Sequence, residues 1–299
     1  MMKKSLILLS VLSMLFTSCN NKKQESLPID ESESGSITET SEEESTEITS
    51  SEETTEQESE TESETESESE TETYSSSETE EYDPHAKYYE SVDKTSSTTM
   101  KSTLQKLMFN THKTYTSYGD IRNLFTKSDA DPNKSGNIIC FYSHQSMKGT
   151  WDQGVTYNRE HVWPKAKSAG LYPSTDNSYK GPGSDLHHVR PTKTEINEAR
   201  GSQSFGYYIP QDDVKGDCAR IIMYMYIHYA SACNSGVSSN YIGNLSITSV
   251  FDSISTLKQW NIEDPVDELE INRNEYCYTK QGNRNPFIDH PEWVNLVLG

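Results

Sequence analysis

The sequence predicts an α+β fold in which a small strand–loop–strand–helix unit sits inside a mostly helical domain. Three observations predict it. Tyr157–Trp163 and Asp185–Arg190 are short extended runs, each closed by a proline, Pro164 and Pro191. Thr192–Gly201 follows immediately with helix start and stop signals. On both sides of this unit apolar residues recur at helical spacing, over residues 83–125 and through the apolar segment Val214–Ala232.

The chain opens with Lys3 and Lys4, then an apolar run from Leu6 to Phe16 that is too short to span a bilayer as a helix. Phe16-Thr17-Ser18-Cys19 has the pattern of a bacterial lipoprotein cleavage site, with Phe16 where leucine is commoner. Residues 1–18 therefore read as a lipoprotein signal peptide. Cys19 becomes a lipidated N-terminus that holds the protein on the extracellular face of the cell membrane. An ordinary signal peptide, with release of the protein, is the alternative.

Residues 19–82 are dominated by Ser, Thr and Glu, with no basic residue after Lys23. Such a segment cannot bury enough apolar surface to offset chain entropy, and its charges repel. It reads as a disordered acidic stalk that would span about 45 Å even as a neutral coil. The stalk dominates the formal charge of −21, because residues 83–299 carry 22 Lys/Arg against 24 Asp/Glu. The acidic balance therefore excludes nothing about a polyanionic partner. Any groove for one must come from local clustering of positive charge.

Residues 83–299 are long enough for one well-packed domain. Residues 83–125 read as helical, with Leu104, Leu107 and Met108 as the packed face, and Ile138–Tyr142 reads as a buried strand. Lys165–Gly183, with its glycines and prolines, reads as an irregular loop. Thr192 fits an N-cap with Glu195 folding back as a capping box, and Gly201 supplies the stop. On that helix Asn197 and Arg200 share one face, and Ile196 and Ala199 another, apolar one. Cys218 and Cys233 lie near opposite ends of one helical segment, about 22 Å apart by helical rise, too far for a disulfide. Pairing among Cys140, Cys218, Cys233 and Cys277 otherwise stays open.

The chemistry concentrates within 44 residues. Glu160 stands beside His161, His187 beside His188, and Asn197 three residues before Arg200. A carboxylate and an amide oxygen suit a hard divalent cation, and an imidazole suits proton abstraction from water near neutral pH. Asn158-Arg159-Glu160-His161-Val162-Trp163-Pro164, Ser184-Asp185-Leu186-His187-His188 and Glu195-Ile196-Asn197-Glu198-Ala199-Arg200-Gly201 closely resemble the motifs of the bacterial endonuclease I family. So does Gly282-Asn283-Arg284-Asn285-Pro286-Phe287-Ile288-Asp289-His290-Pro291-Glu292-Trp293 near the C-terminus. Four motifs in order cover essentially the whole domain from Ser91 to Trp293.

The resemblance implies a ββα-metal, or His-Me finger, core and a sequence-nonspecific endonuclease acting on DNA and also RNA, leaving 5′ phosphates. It implies His161 as general base, Glu160 and Asn197 as metal ligands, and Mg2+ as cofactor, with Mn2+ or Ca2+ as alternatives. His188 and Arg200 complete the expected catalytic set. His188 or His187 would orient His161 or contact phosphate, the other packing structurally, and Arg200 would grip a phosphate oxygen or pair with a nearby carboxylate. Asp185 and Arg159 read as structural, Arg220 as an internal ion-pair partner, and Arg284 with Asn285 as candidates to line the groove. The expected partners are nucleic acid and, through Cys19, the membrane, with the protein a monomer. Adjacent residues on a regular strand point to opposite faces, so sharing of one site by Glu160 and His161 predicts irregular backbone at that point. Two rivals stand beside this reading: a catalytically inactive surface nucleic-acid-binding lipoprotein, and a zinc enzyme built on His161, His187 and His188.

Overall fold

The computed structural model describes residues 82–233 and 236–299; the signal peptide, the Cys19 anchor and the acidic stalk up to residue 81 lie outside the described residues. The described chain is α+β, with eight α-helices and two two-stranded antiparallel sheets.

The predicted helix over 83–125 is two helices, α1 (Ser97–Thr111) and α2 (Tyr118–Ser128), preceded by turns from Pro84 to Ser91. Serine caps set both starts: Ser96 accepts from the Thr99 amide and Ser117 from the Asp120 amide. The break between them is tertiary in origin. The Lys113 amide donates to the Gln281 carbonyl at 2.7 Å, which pulls the chain out of helical register after His112. Leu104 and Met108 are buried as the spacing predicts, with Leu107 packed against the same core.

Strand β1 (Asn137–Ile139) pairs with β2 (Ser146–Lys148), so the predicted strand ends before Phe141 and Tyr142. Tyr142 lies in a turn at φ 43°, a left-handed conformation that costs a non-glycine residue strain. The second sheet pairs β3 (Tyr157–His161) with β4 (Val189–Lys193), and α3 (Thr194–Arg200) follows with no intervening loop. Here the structure corrects three local expectations. Pro191 sits mid-strand opposite Arg159, where a two-stranded sheet tolerates its missing N–H. Thr192 pairs with Asn158 in the ladder and is no helix cap, and Glu195 takes the Lys193 ammonium at 3.0 Å. Strand pairing thus outweighs the local capping signal. Ala199 is exposed, and the residue that α3 buries is Arg200. Gly201 does end the helix, at φ 51°.

Helix α4 (Lys215–Tyr229) is the centre of the core: every residue but Lys215 and Tyr226 is buried. A helix apolar on all sides must be surrounded, and α1, α5 (Ile254–Glu263) and α7 (Pro286–Asp289) pack against it. Each buried Ile or Met there contributes about 1.5–3 kcal/mol. Arg220 is tolerated in this setting because Nε donates to Glu270 of α6 (Glu268–Gln281) at 2.8 Å, as an internal ion pair should. The short helix α8 (Trp293–Leu298) closes the chain against α1. Cys140, Cys218, Cys233 and Cys277 are all buried free thiols.

Candidate active site

The end of β3, the loop after it and the face of α3 enclose a cleft of about 540 Å3 lined by Arg159, Glu160, His161, Lys165, Asn197 and Arg200, among others. Three of these six side chains are cationic and one is acidic, which is the local positive clustering that the total charge conceals.

His161 is the last residue of β3, and its ring lies between two parallel tyrosine rings. Tyr118 is 5.2 Å away at 14° and Tyr172 is 5.4 Å away at 16°. Nε2 bonds the Gly183 carbonyl at 2.8 Å. A carbonyl only accepts, so the proton resides on Nε2 and Nδ1 is left as the basic nitrogen. Among the described residues Nδ1 has no hydrogen-bond partner. Gly183 must be glycine for this arrangement, because a Cβ there would lie 2.8 Å from the Tyr172 Cβ. Burial pushes the His161 imidazolium down to about 3, assisted by the neighbouring His188, so the ring is neutral across the physiological range.

Glu160 is 3 % exposed and accepts from the Tyr142 hydroxyl at 2.8 Å. Burial pushes its carboxyl up to about 7, while Arg200 and the Tyr142 hydrogen bond oppose the rise. Arg200 Nε stands 3.6 Å from Glu160 Oε1. Its Nη2 donates to the Val162 carbonyl at 2.8 Å and its Nη1 to the Gly201 carbonyl at 3.1 Å. The guanidinium is fully buried, its two terminal nitrogens are bonded to backbone carbonyls and its Nε faces Glu160 without a hydrogen bond, so its placement is that of a counter-charge for Glu160 and not of a free fork for phosphate. Arg200→Ala would strand the buried carboxylate. The expected cost is about 3–5 kcal/mol in urea unfolding, and a loss below about 1 kcal/mol would show that Glu160 does not depend on it.

Asn197 is half-buried on the cleft face of α3, and its Nδ2 donates to Asn158 Oδ1. That bond orients the amide and leaves Asn197 Oδ1 as its uncommitted acceptor.

The expected backbone irregularity at 160–161 is absent: the β3–β4 register runs unbroken from Tyr157↔Lys193 to His161↔Val189. The two side chains nevertheless line one cleft. His161 occupies the last position of β3, before the chain continues to Pro164. His188 lies behind this surface, fully buried. It accepts from the Trp163 amide at 3.0 Å through Nε2, and Nδ1 faces the Pro182 carbonyl at 3.3 Å. With both nitrogens occupied it ties residue 163 to the turn that carries Gly183, and it does not line the cleft. His187 turns away to the Asn283 carbonyl at 3.0 Å, so His161, His187 and His188 do not converge as a zinc site would require. Arg284 is committed to Asp289 and Glu275, and Asn285 caps α7; neither lines the cleft.

Sequence reading missed Tyr118, Tyr142, Tyr172 and Asn158. Each acts through a long-range contact, and tyrosine in an aromatic-rich domain gives no local signal of such a role.

The family model described as Endonuclease I matches residues 96–209 and 207–292. An extracellular ribonuclease of Bacillus subtilis (strain 168) is 37% identical over 234 residues, which cover 70% of this chain and 77% of the relative. An extracellular ribonuclease of Bacillus amyloliquefaciens is 35% identical over 240 residues, again 70% of this chain and 77% of the relative.

Proposed function

Because the chain belongs to the endonuclease I family, we propose that it is a divalent-metal-dependent, sequence-nonspecific endonuclease that hydrolyses phosphodiester bonds in DNA and RNA outside the cell. One observation carries this reading. His161 presents a neutral, uncommitted Nδ1 at the same cleft that receives a carboxylate from Glu160 and an amide oxygen from Asn197.

The donor set fits a hard cation: one carboxylate and one amide oxygen, with room for water, is what Mg2+ accepts because it sheds hydration reluctantly. Glu160 and Asn197 would hold it, with Mn2+ or Ca2+ as substitutes. When bound, the cation would polarise the phosphate and stabilise charge on the departing 3′ oxygen. The protein's own groups do the rest. His161 Nδ1 takes a proton from the attacking water, and its Nε2–H stays on the Gly183 carbonyl, which stabilises the imidazolium as it forms. The Tyr118 and Tyr172 rings keep the imidazole from rotating. Arg200 favours the ionised form of Glu160, the form a ligand needs. His188 acts by positioning, since it anchors the turn bearing Gly183. Arg159 and Lys165 attract the substrate backbone without reading bases, as nonspecific cutting requires.

The relatives' common name, extracellular ribonuclease, favours RNA among the substrates and action outside the cytoplasm. A lipidated Cys19 would retain the enzyme at the membrane surface, with the acidic stalk as spacer and the nuclease a monomer.

The test is cleavage of linear DNA, circular DNA and RNA by the full chain, with and without chelator. Cutting of circular DNA that stops on chelation and returns with Mg2+ is the expected result; activity indifferent to chelation would sink the metal. Asn197→Ala should raise the Mg2+ concentration for half-maximal rate at least about tenfold. An unchanged titration curve would remove Asn197 from the ligand set.

A further inference from the structure

We propose that His112, Asp185 and His228 form a second, buried metal site that takes zinc and serves the fold, independently of the catalytic reading above. His112 follows the last turn of α1, Asp185 ends the turn before β4, and His228 lies in the last turn of α4. The three elements meet in the core, where His228 and Asp185 are fully buried and His112 is 8% exposed.

Charge is the first reason. Asp129, Glu160, Asp217 and Glu270 are also buried carboxylates, and each faces an arginine within 3.7 Å. Asp185 has no such partner: among the described residues its ion-pair contact is His112 Nδ1, at 4.0 Å. The hydroxyls of Tyr224 and Tyr229, each 2.6 Å from Oδ2, and the Gln281 side-chain amide and His187 backbone amide, each 2.9 Å from Oδ1, satisfy hydrogen bonding but bring no positive charge. A buried carboxylate needs a counter-charge, and a divalent cation supplies one.

Direction is the second. His112 Nδ1 and His228 Nε2 are hydrogen-bonded at 3.1 Å, a contact an ion would replace, and the outer nitrogens, His112 Nε2 and His228 Nδ1, have no hydrogen-bond partner in the described residues. The polar contacts of both rings therefore point at one place, beside Asp185. Aromatic contacts hold them there: His112 stacks on Tyr115 at 3.8 Å and His228 packs against Phe109 at 4.4 Å with the rings tilted by 35°.

Spacing is the third. The three ligand atoms lie within 4.8 Å of one another. Tetrahedral zinc with bonds of about 2.0–2.1 Å separates its ligand atoms by about 3.3 Å; His112 stands 3.1 Å from His228 and 4.0 Å from Asp185, and the third pair lies within 4.8 Å, so binding would draw Asp185 and the rings slightly together. Two imidazoles with one carboxylate favour zinc over magnesium or calcium, which prefer oxygen. A water molecule would complete four-coordination. Such an ion would pin the ends of α1 and α4 to the turn that holds Gly183 against His161.

The test is elemental analysis of the full chain purified without added metal, beside Glu160→Gln, His112→Gln and His228→Gln. About one equivalent of zinc in the wild type and in Glu160→Gln, lost from both histidine variants, is the expected pattern. Retention of the Glu160→Gln equivalent separates this site from the catalytic one. If the histidine variants fail to fold, the wild type grown in zinc-depleted, cobalt-supplemented medium decides. The intense visible bands of four-coordinate cobalt support the site. A folded wild type with neither zinc nor cobalt overturns it, and so do folded histidine variants that keep the metal.

Discussion

His161→Ala is expected to lower kcat/KM on plasmid DNA and on RNA by about 1,000-fold, within the span that general-base catalysis contributes. Substrate affinity measured in chelator should change little, because Arg159 and Lys165 remain to meet the phosphates. The loss should fall on kcat, and single-turnover rates would separate it from binding. Free imidazole added to the alanine variant should restore part of the rate by entering the space between Tyr118 and Tyr172. The structure makes this outcome specific to the ring: Nε2 is tied to Gly183 and only Nδ1 is available, so no neighbouring group substitutes. Cutting at the wild-type rate would remove His161 as the base.

The second large effect is on stability in acid. Burial pushes His161 down to about 3 and His187 and His188 to about 4, from an ordinary value near 6.5. The folded chain keeps all three neutral, whereas the unfolded chain takes up protons below about pH 6.5. Their contribution to stability is therefore complete above that pH and is lost as pH falls toward 4. Each histidine costs about 1.4 kcal/mol per pH unit across that window. Glu160 works the other way. Its carboxyl is pushed up to about 7, so its buried charge disfavours folding at neutral pH and protonation relieves it as pH falls. Burial also holds His112 and His228 down and Asp217 and Glu270 up, so the histidines held neutral outnumber the carboxylates held protonated and the net effect of acid is a loss of stability. Stability should therefore fall progressively between roughly pH 6.5 and 4. Urea midpoints measured in chelator from pH 7 downward should fall steadily, and midpoints that stay level to pH 4.5 would contradict the assignment of buried neutral rings.

The parts of the site that local sequence could express were legible in advance. Glu160, His161 and Asn197 lie on elements whose order was readable from prolines, glycines and short extended runs, and the structure brings all three to one cleft. What was not legible depended on contacts distant in sequence. The Thr192–Glu195 pattern is a sound capping signal, yet pairing of Thr192 with Asn158 outweighs it. Arg200 shares a helix face with Asn197 as expected, but only the fold reveals that Glu160 lies against it in the interior. Strand alternation set Glu160 and His161 apart. The register runs unbroken through His161, yet both residues line one cleft, an outcome that a rule written for strand interiors does not foresee. His188 carried the same signal as His161, and the difference between them is which backbone groups each ring meets.

The buried thiols have a further consequence. Burial pushes Cys140, Cys233 and Cys277 up to about 12 and Cys218 well above the ordinary value. At neutral pH a thiol near 12 is ionised in on the order of one molecule in 10^5, too rarely for exchange or oxidation to proceed at a useful rate. With no cross-link to make or lose in the described residues, folding asks nothing of an oxidising catalyst, and a reducing milieu removes nothing. The described residues therefore hold no bond that a change in the redox state of the surroundings would make or break.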